Sequence, residues 1–139
     1  ALIYSRIEGE AFTDTPAEGK EYLVFFFNVE NIDDENNFVS IHNFTGYVDD
    51  TLVASKILIN NVDNVQYLSA DLTPGKKARG YVAYEVDTNW KQFDIHYKEN
   101  SFDYNDSMIF TVVNEENNQN NNNTDGNIII FSNRNRYKK

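Results

Sequence analysis

Apolar and polar positions alternate along most of this chain, and the alternation is densest in "KEYLVFFFNVEN", residues 20–31. At a period of two, one face of that stretch carries Leu23, Phe25, Phe27 and Val29. The other carries Tyr22, Val24 and Phe26 before turning polar at Asn28 and Glu30. A half-buried strand needs one apolar face; this one begins with two, so something must cover the second.

The same period recurs in "GYVAYEV", where Val82, Tyr84 and Val86 share a face, and in "FDIHY", where Phe93, Ile95 and Tyr97 do. β-Branched and aromatic runs predict strands over 2–12, 21–32, 38–48, 52–59, 67–72, 81–86, 93–98 and 108–113. A short helix is the rival reading only in "TLVASKILINN". Punctuation falls at Pro16 and Gly19, at "DDENN", and at "TPGKKARG". Pro74 presets φ for the second position of a turn, and Gly75 suits the positive φ that a type II turn then requires. Gly80, entering a strand, predicts a bulge or a close backbone approach. Seven to eight strands at this spacing predict an all-β, immunoglobulin-like antiparallel sandwich over residues 1–114. Its expected core is Ile3, Leu23, Phe25, Phe27, Val29, Val82, Tyr84, Val86, Phe93, Ile95 and Tyr97.

The pattern then changes. Residues 115–127 form a polar, Asn-rich tether that cannot build a core. Residues 128–139 supply a tail strand, "IIIF", and a basic end with Arg134, Arg136, Lys138 and Lys139. A free apolar strand on a tether is expected to pair with a sheet edge and to help cover the Tyr22/Val24/Phe26 strip. The same strand exchanged between molecules would give a tail-mediated homodimer.

Composition narrows the function. The 139 residues carry 22 acids against 12 bases, a formal charge of −10, which opposes binding to nucleic acid. Cysteine is absent, so disulfides, thiolate chemistry and most structural zinc sites are excluded. "ALIYSRIEGE" reads as a strand, and with no charged start followed by an apolar core it is not expected to be a signal peptide.

Candidate chemistry is sparse. Asp33, Asp34 and Glu35, the pair Asp49 and Asp50, and the pair Asp103 and Asp106 could supply hard oxygen ligands, but none has the EF-hand spacing or its glycine. Solvated turn carboxylates are the reading for all of them, and neither metal nor cofactor is expected. His42 and His96 fall on outward strand phases, and nothing resembles a nucleophile elbow. No catalytic residue is assigned. Aromatics make up 14% of the chain, more than the predicted core uses. Tyr22, Phe26, Tyr47, Tyr81 and Tyr104 fall on phases that could be exposed, where rigid amphipathic rings serve binding surfaces. Trp90, between strands, reads first as a lid on the open end of the core and second as a ligand platform.

Three stretches resemble a known family. "GKEYLVFFFNVENIDDENNF", "LTPGKKARGYVAYEVD" and "QFDIHYKE" are similar to the telokin-like, immunoglobulin-fold domain of unknown function found in lipoproteins and secreted proteins of Gram-positive bacteria. The likeness runs from about Gly19 to Asn100. It implies an extracytoplasmic sandwich at the cell surface or secreted, touching a membrane only through a lipidated cysteine upstream, and it lends no catalytic residue. The expected function is therefore a non-enzymatic interaction module that binds a protein partner through a sheet face or loops. A carbohydrate-binding module that holds a cell-surface glycan on exposed Tyr and Trp is the alternative.

Overall fold

The long apolar stretch at 20–31 is the centre of the molecule. In the computed structural model, which describes residues 1–98, 107–114 and 127–131, it forms the twelve-residue strand β4 (Lys20–Asn31). Along one edge β4 pairs antiparallel with β10 (Lys77–Asp87), from Lys20 opposite Asp87 to Glu30 opposite Lys77. Its other edge is shared. β1 (Leu2–Tyr4) pairs antiparallel beside Tyr22, Leu23 and Val24, and β13 (Asn127–Phe131) pairs parallel from Phe27 to Asn31. The tail strand therefore does find a sheet edge. β8 (Ser55–Lys56) completes this sheet on the far side of β10.

A second sheet packs against it in the order β12 (Ser107–Val113), β11 (Gln92–Lys98), β6 (Phe44–Val48), β7 (Thr51–Val53). The fold is an all-β, immunoglobulin-like sandwich. Thirteen strands lie among the described residues, more finely cut than the pattern suggests. The expected strand over 38–48 divides into β5 (Asn37–Ser40) and β6 around a 3-10 turn at Ile41–Asn43. Ser40 caps that turn: its Oγ accepts the His42 N–H at 3.1 Å, while the Asn43 side chain accepts the Ser40 N–H at 2.9 Å. The break takes the chain from the β5–β9 ribbon (β9, Ser69–Leu72) into the second sheet. Residues 52–59 hold strand segments, not the rival helix.

The core between the sheets is aromatic. Leu23, Phe25, Phe27 and Val29 from β4 meet Val82, Tyr84 and Val86 from β10 and Phe93, Ile95 and Tyr97 from β11, all buried as expected. Ile3 is the exception at 47% exposed, because β1 is an edge strand and Ile3 lies outside the cluster. Tyr84 lies over Gly46, where a Cβ would come within 2.6 Å of its ring. Burial raises the Tyr84 pKa, so its inward hydroxyl stays protonated.

The turn chemistry follows the sequence. The Lys76 N–H donates to the Thr73 carbonyl at 3.1 Å around Pro74 and Gly75, whose φ is +85°. At Gly80 a Cβ would sit 2.5 Å from the Cα of Leu68, so this is a close backbone approach. It lets the Leu68 N–H reach the Tyr81 carbonyl at 2.9 Å.

The second face of β4 is covered by the chain's own N-terminal and 58–65 segments. Tyr22, Val24 and Phe26, with Tyr81 and Ala83 from β10, form a second cluster with Ile7, Leu58 and Val62. The expected strand over 2–12 stops at Tyr4 and resumes as β2 (Ile7–Glu8), so that Ile7 can fold over that face. β2 pairs with β3 (Thr13–Asp14). The buried Asp14 carboxylate then accepts the backbone N–H groups of Ile59 and Asn60, both at 2.9 Å, and pins their loop in place. The Arg79 guanidinium caps the Phe26 ring at 5.2 Å.

Candidate binding surface

Burying both faces of β4 reassigns most of the expected surface aromatics. Tyr22, Phe26 and Tyr81 keep the phase read from the sequence, but that phase points into the second core. Burial raises the pKa of both tyrosines, and the Leu58 N–H donates to the Tyr81 hydroxyl at 3.3 Å. Trp90 is the lid. It belongs to the main cluster, its Nε1 donates to Glu21 Oε2 at 3.0 Å, and its carbonyl accepts the Asn114 side chain at 2.8 Å. Tyr104 lies outside the described residues, as do Asp103, Asp106 and the basic end at 134–139. Of the six candidates, Tyr47 alone is described as reaching the surface.

Tyr47 sits on the outward phase of β6, between the inward Gly46 and Val48. Strand register gives it neighbours. Leu52 of β7 stands directly opposite and is 66% exposed. The His96 ring of β11 lies diagonally beside it, with centroids 4.9 Å apart. Ile109 of β12, 58% exposed, stands opposite His96. The four side chains make a diagonal across all four strands of the outer face. Beside it, Asp94 stands opposite Tyr47 and accepts the Thr111 hydroxyl at 2.7 Å. The alternation identifies Tyr47 and His96 as outward, but it does not join them. Leu52 and Ile109 are missed, because their strands are too short or too uniformly apolar to show a phase.

The acidic turns do structural work. Asp33 is buried in a network with Asn31 and Asn37. Asp49, at φ +47°, accepts the Gln92 N–H at 2.9 Å and ties β6 to β11. Among the described residues no group of three or more His, Asp or Glu side chains is placed to hold a metal ion. Among them, too, no helix is long and apolar enough to cross a membrane.

Two packed sheets around an aromatic core, with no segment over the outer face of the second sheet among the described residues, define the class of protein. Residues 4–109 match the model of a family described as "Domain of unknown function (DUF4352)". The chain belongs to that family, and the match extends beyond the resemblance at both ends. Two solved structures from Bacillus subtilis share the fold. The ycdA protein, a proposed lipoprotein, aligns with a TM-score of 0.59 at 16% identity, over 78% of this chain and 34% of that one. The yjhA protein aligns with a TM-score of 0.54 at 17% identity, over 81% of each chain. The chain thus spans about a third of the length of ycdA. No curated protein matches this sequence.

Proposed function

We propose that this chain is a non-enzymatic, extracytoplasmic interaction module that binds a protein partner through the outer face of the β12–β11–β6–β7 sheet. The diagonal of Leu52, Tyr47, His96 and Ile109 carries the reading. Scattered exposed apolar residues are ordinary, but a contiguous row on a rigid sheet is the composition of an interface centre. Tyr47 is suited to anchor it, since an aromatic ring adds contact area at small entropic cost. Fold likeness to ycdA, a proposed lipoprotein, supports a place at the cell surface or in secretion. Any lipid anchor would lie outside these 139 residues.

A carbohydrate-binding platform of exposed Tyr and Trp is less well supported. Its main elements, Tyr22, Tyr81 and Trp90, are buried. Catalysis is supported least: the tyrosines with raised pKa lie against the two cores and owe the shift first to burial.

The test compares capture of surface proteins by the full chain and by its Tyr47→Ala variant. Loss of a central aromatic anchor should weaken the captured complex by ~2 kcal/mol or more, about thirtyfold. The thermal midpoint should fall only slightly, because the ring is on the outer face. Undiminished binding by the variant would remove this face from the function.

A further inference from the structure

β12 ends the second sheet, and no strand pairs with its other edge among the described residues. Sheet edges are usually blunted by shortness, charge, proline or a bulge. Other edges of this chain follow that rule. β1 and β7 have three residues each, and β8 has two, one of them Lys56 in an ion pair with Glu85 at 3.6 Å. β12 has none of these devices. Its seven residues, "SMIFTVV", carry no charge and no proline. Its register with β11 runs unbroken from Lys98 opposite Ser107 to Gln92 opposite Val113. β13 is uncharged too, but shorter, at five residues.

The free edge has a definite hydrogen-bonding pattern. In an antiparallel ladder, pairs that exchange N–H···O bonds alternate with pairs that do not. The Asn114 N–H donates to the Lys91 carbonyl at 2.9 Å, so the bonded pairs with β11 continue at Val112, Phe110 and Met108. On the other side of β11 the Asp49 N–H donates to the Gln92 carbonyl at 2.9 Å, as the same alternation requires. The backbone groups of Ser107, Ile109, Thr111 and Val113 therefore face away from β11. Apolar side chains surround them. Ile109 and Val113 are exposed, and Met108, opposite Tyr97 on the inward phase, is still 40% exposed.

We propose that β12 is a homodimerisation edge, pairing antiparallel with β12 of a second copy across a twofold axis at Phe110. That register sets Ile109 opposite Thr111 and Ser107 opposite Val113, so every outward-turned backbone group of the strand finds a partner. The side chains are self-complementary as well. Phe110 meets Phe110, Met108 meets Val112, and no like charges stand opposite each other. Each molecule carries a formal charge of −10, and β12 is an uncharged place where two such molecules can meet. The twofold joins two four-stranded sheets edge to edge and keeps their outer faces on the same side. The pairing uses main-chain groups, so it stands whether or not the Tyr47 face binds a partner.

The test is sedimentation equilibrium of the full chain from ~10 μM to ~1 mM, with amide NMR over the same range. One ladder is a small interface, so the dimer should grow in across the upper part of that range. The amides of Ile109, Thr111 and Val113 should shift with concentration, and those of Met108, Phe110 and Val112, already bonded to β11, should shift less. Raising salt from ~50 mM to ~500 mM should tighten the dimer by screening two negative bodies. Thr111→Pro deletes an N–H that points off the sheet, a change that an edge strand tolerates. It removes two symmetry-related hydrogen bonds and should weaken the dimer about tenfold or more. Thr111→Lys keeps that N–H but charges the edge, and should weaken the dimer too, whereas Thr111→Val should not. A chain that stays monomeric to ~1 mM would overturn the proposal. So would shifts centred on residues 127–131, weakening by salt, or full dimer affinity in folded Thr111→Pro or Thr111→Lys.

Discussion

Replacing Phe25 with alanine is expected to destabilise the chain by about 3–5 kcal/mol. The ring is fully enclosed between the sheets, 5.5 Å from Phe93, 6.4 Å from Phe27 and edge-on to Tyr84 at 6.2 Å. Truncation removes the transfer free energy of an aromatic ring and leaves a cavity bounded by other rings. Those rings are held by strands on both sheets, so the site can collapse only in part. Urea denaturation read by far-ultraviolet circular dichroism should show the midpoint fall with little change in slope. A midpoint close to that of the unsubstituted chain would put Phe25 outside the core and move the register of β4 by one residue.

The second large effect is expected at Asn31, where a polar side chain is wholly buried. Its amide nitrogen donates to the carbonyls of Leu72 at 2.8 Å and Glu35 at 2.9 Å. Its oxygen accepts the Asp33 N–H and the Asn37 side chain, both at 3.0 Å. One side chain thus joins the end of β4, the 32–36 turn, β5 and β9. Asn31→Ala removes four hydrogen bonds and takes a partner from several buried groups at once. At ~1–3 kcal/mol for each buried group left unsatisfied, the cost should reach about 3 kcal/mol or more. The same denaturation experiment measures it. A loss below ~1 kcal/mol would mean that water replaces the amide freely, and that this end of the sandwich is open.

Much of this architecture is legible in the chain because periodicity and turn chemistry are local. The inward face of β4, the alternations of β10 and β11, the Pro74–Gly75 turn and the tight approach at Gly80 all follow from residues close in sequence. What covers the other face of β4 is not local. Tyr22 is buried by Ile7 and by residues near 58–62, and nothing in the period-two pattern announces that partnership. The phase assigned to Tyr22, Phe26 and Tyr81 is right, while the environment inferred from it is wrong, because a two-sided apolar strand can be closed by loops as well as by a tail strand. Tyr47 differs for the same reason. Its face receives no covering segment among the described residues, and only strand register brings Leu52, His96 and Ile109 beside it.

Among the described residues, both faces of β4 and β10 are buried, and no segment covers the outer face of the second sheet. Solvent paramagnetic relaxation measures this most directly, with an inert, uncharged spin probe and side-chain NMR signals of the full chain. Strong broadening is expected at Leu52 and Ile109, clear broadening at the half-buried Tyr47, and near-complete protection of Tyr22, Phe26, Tyr81 and Trp90. Broadening of Tyr22 and Phe26 to the level of Tyr47 would contradict it.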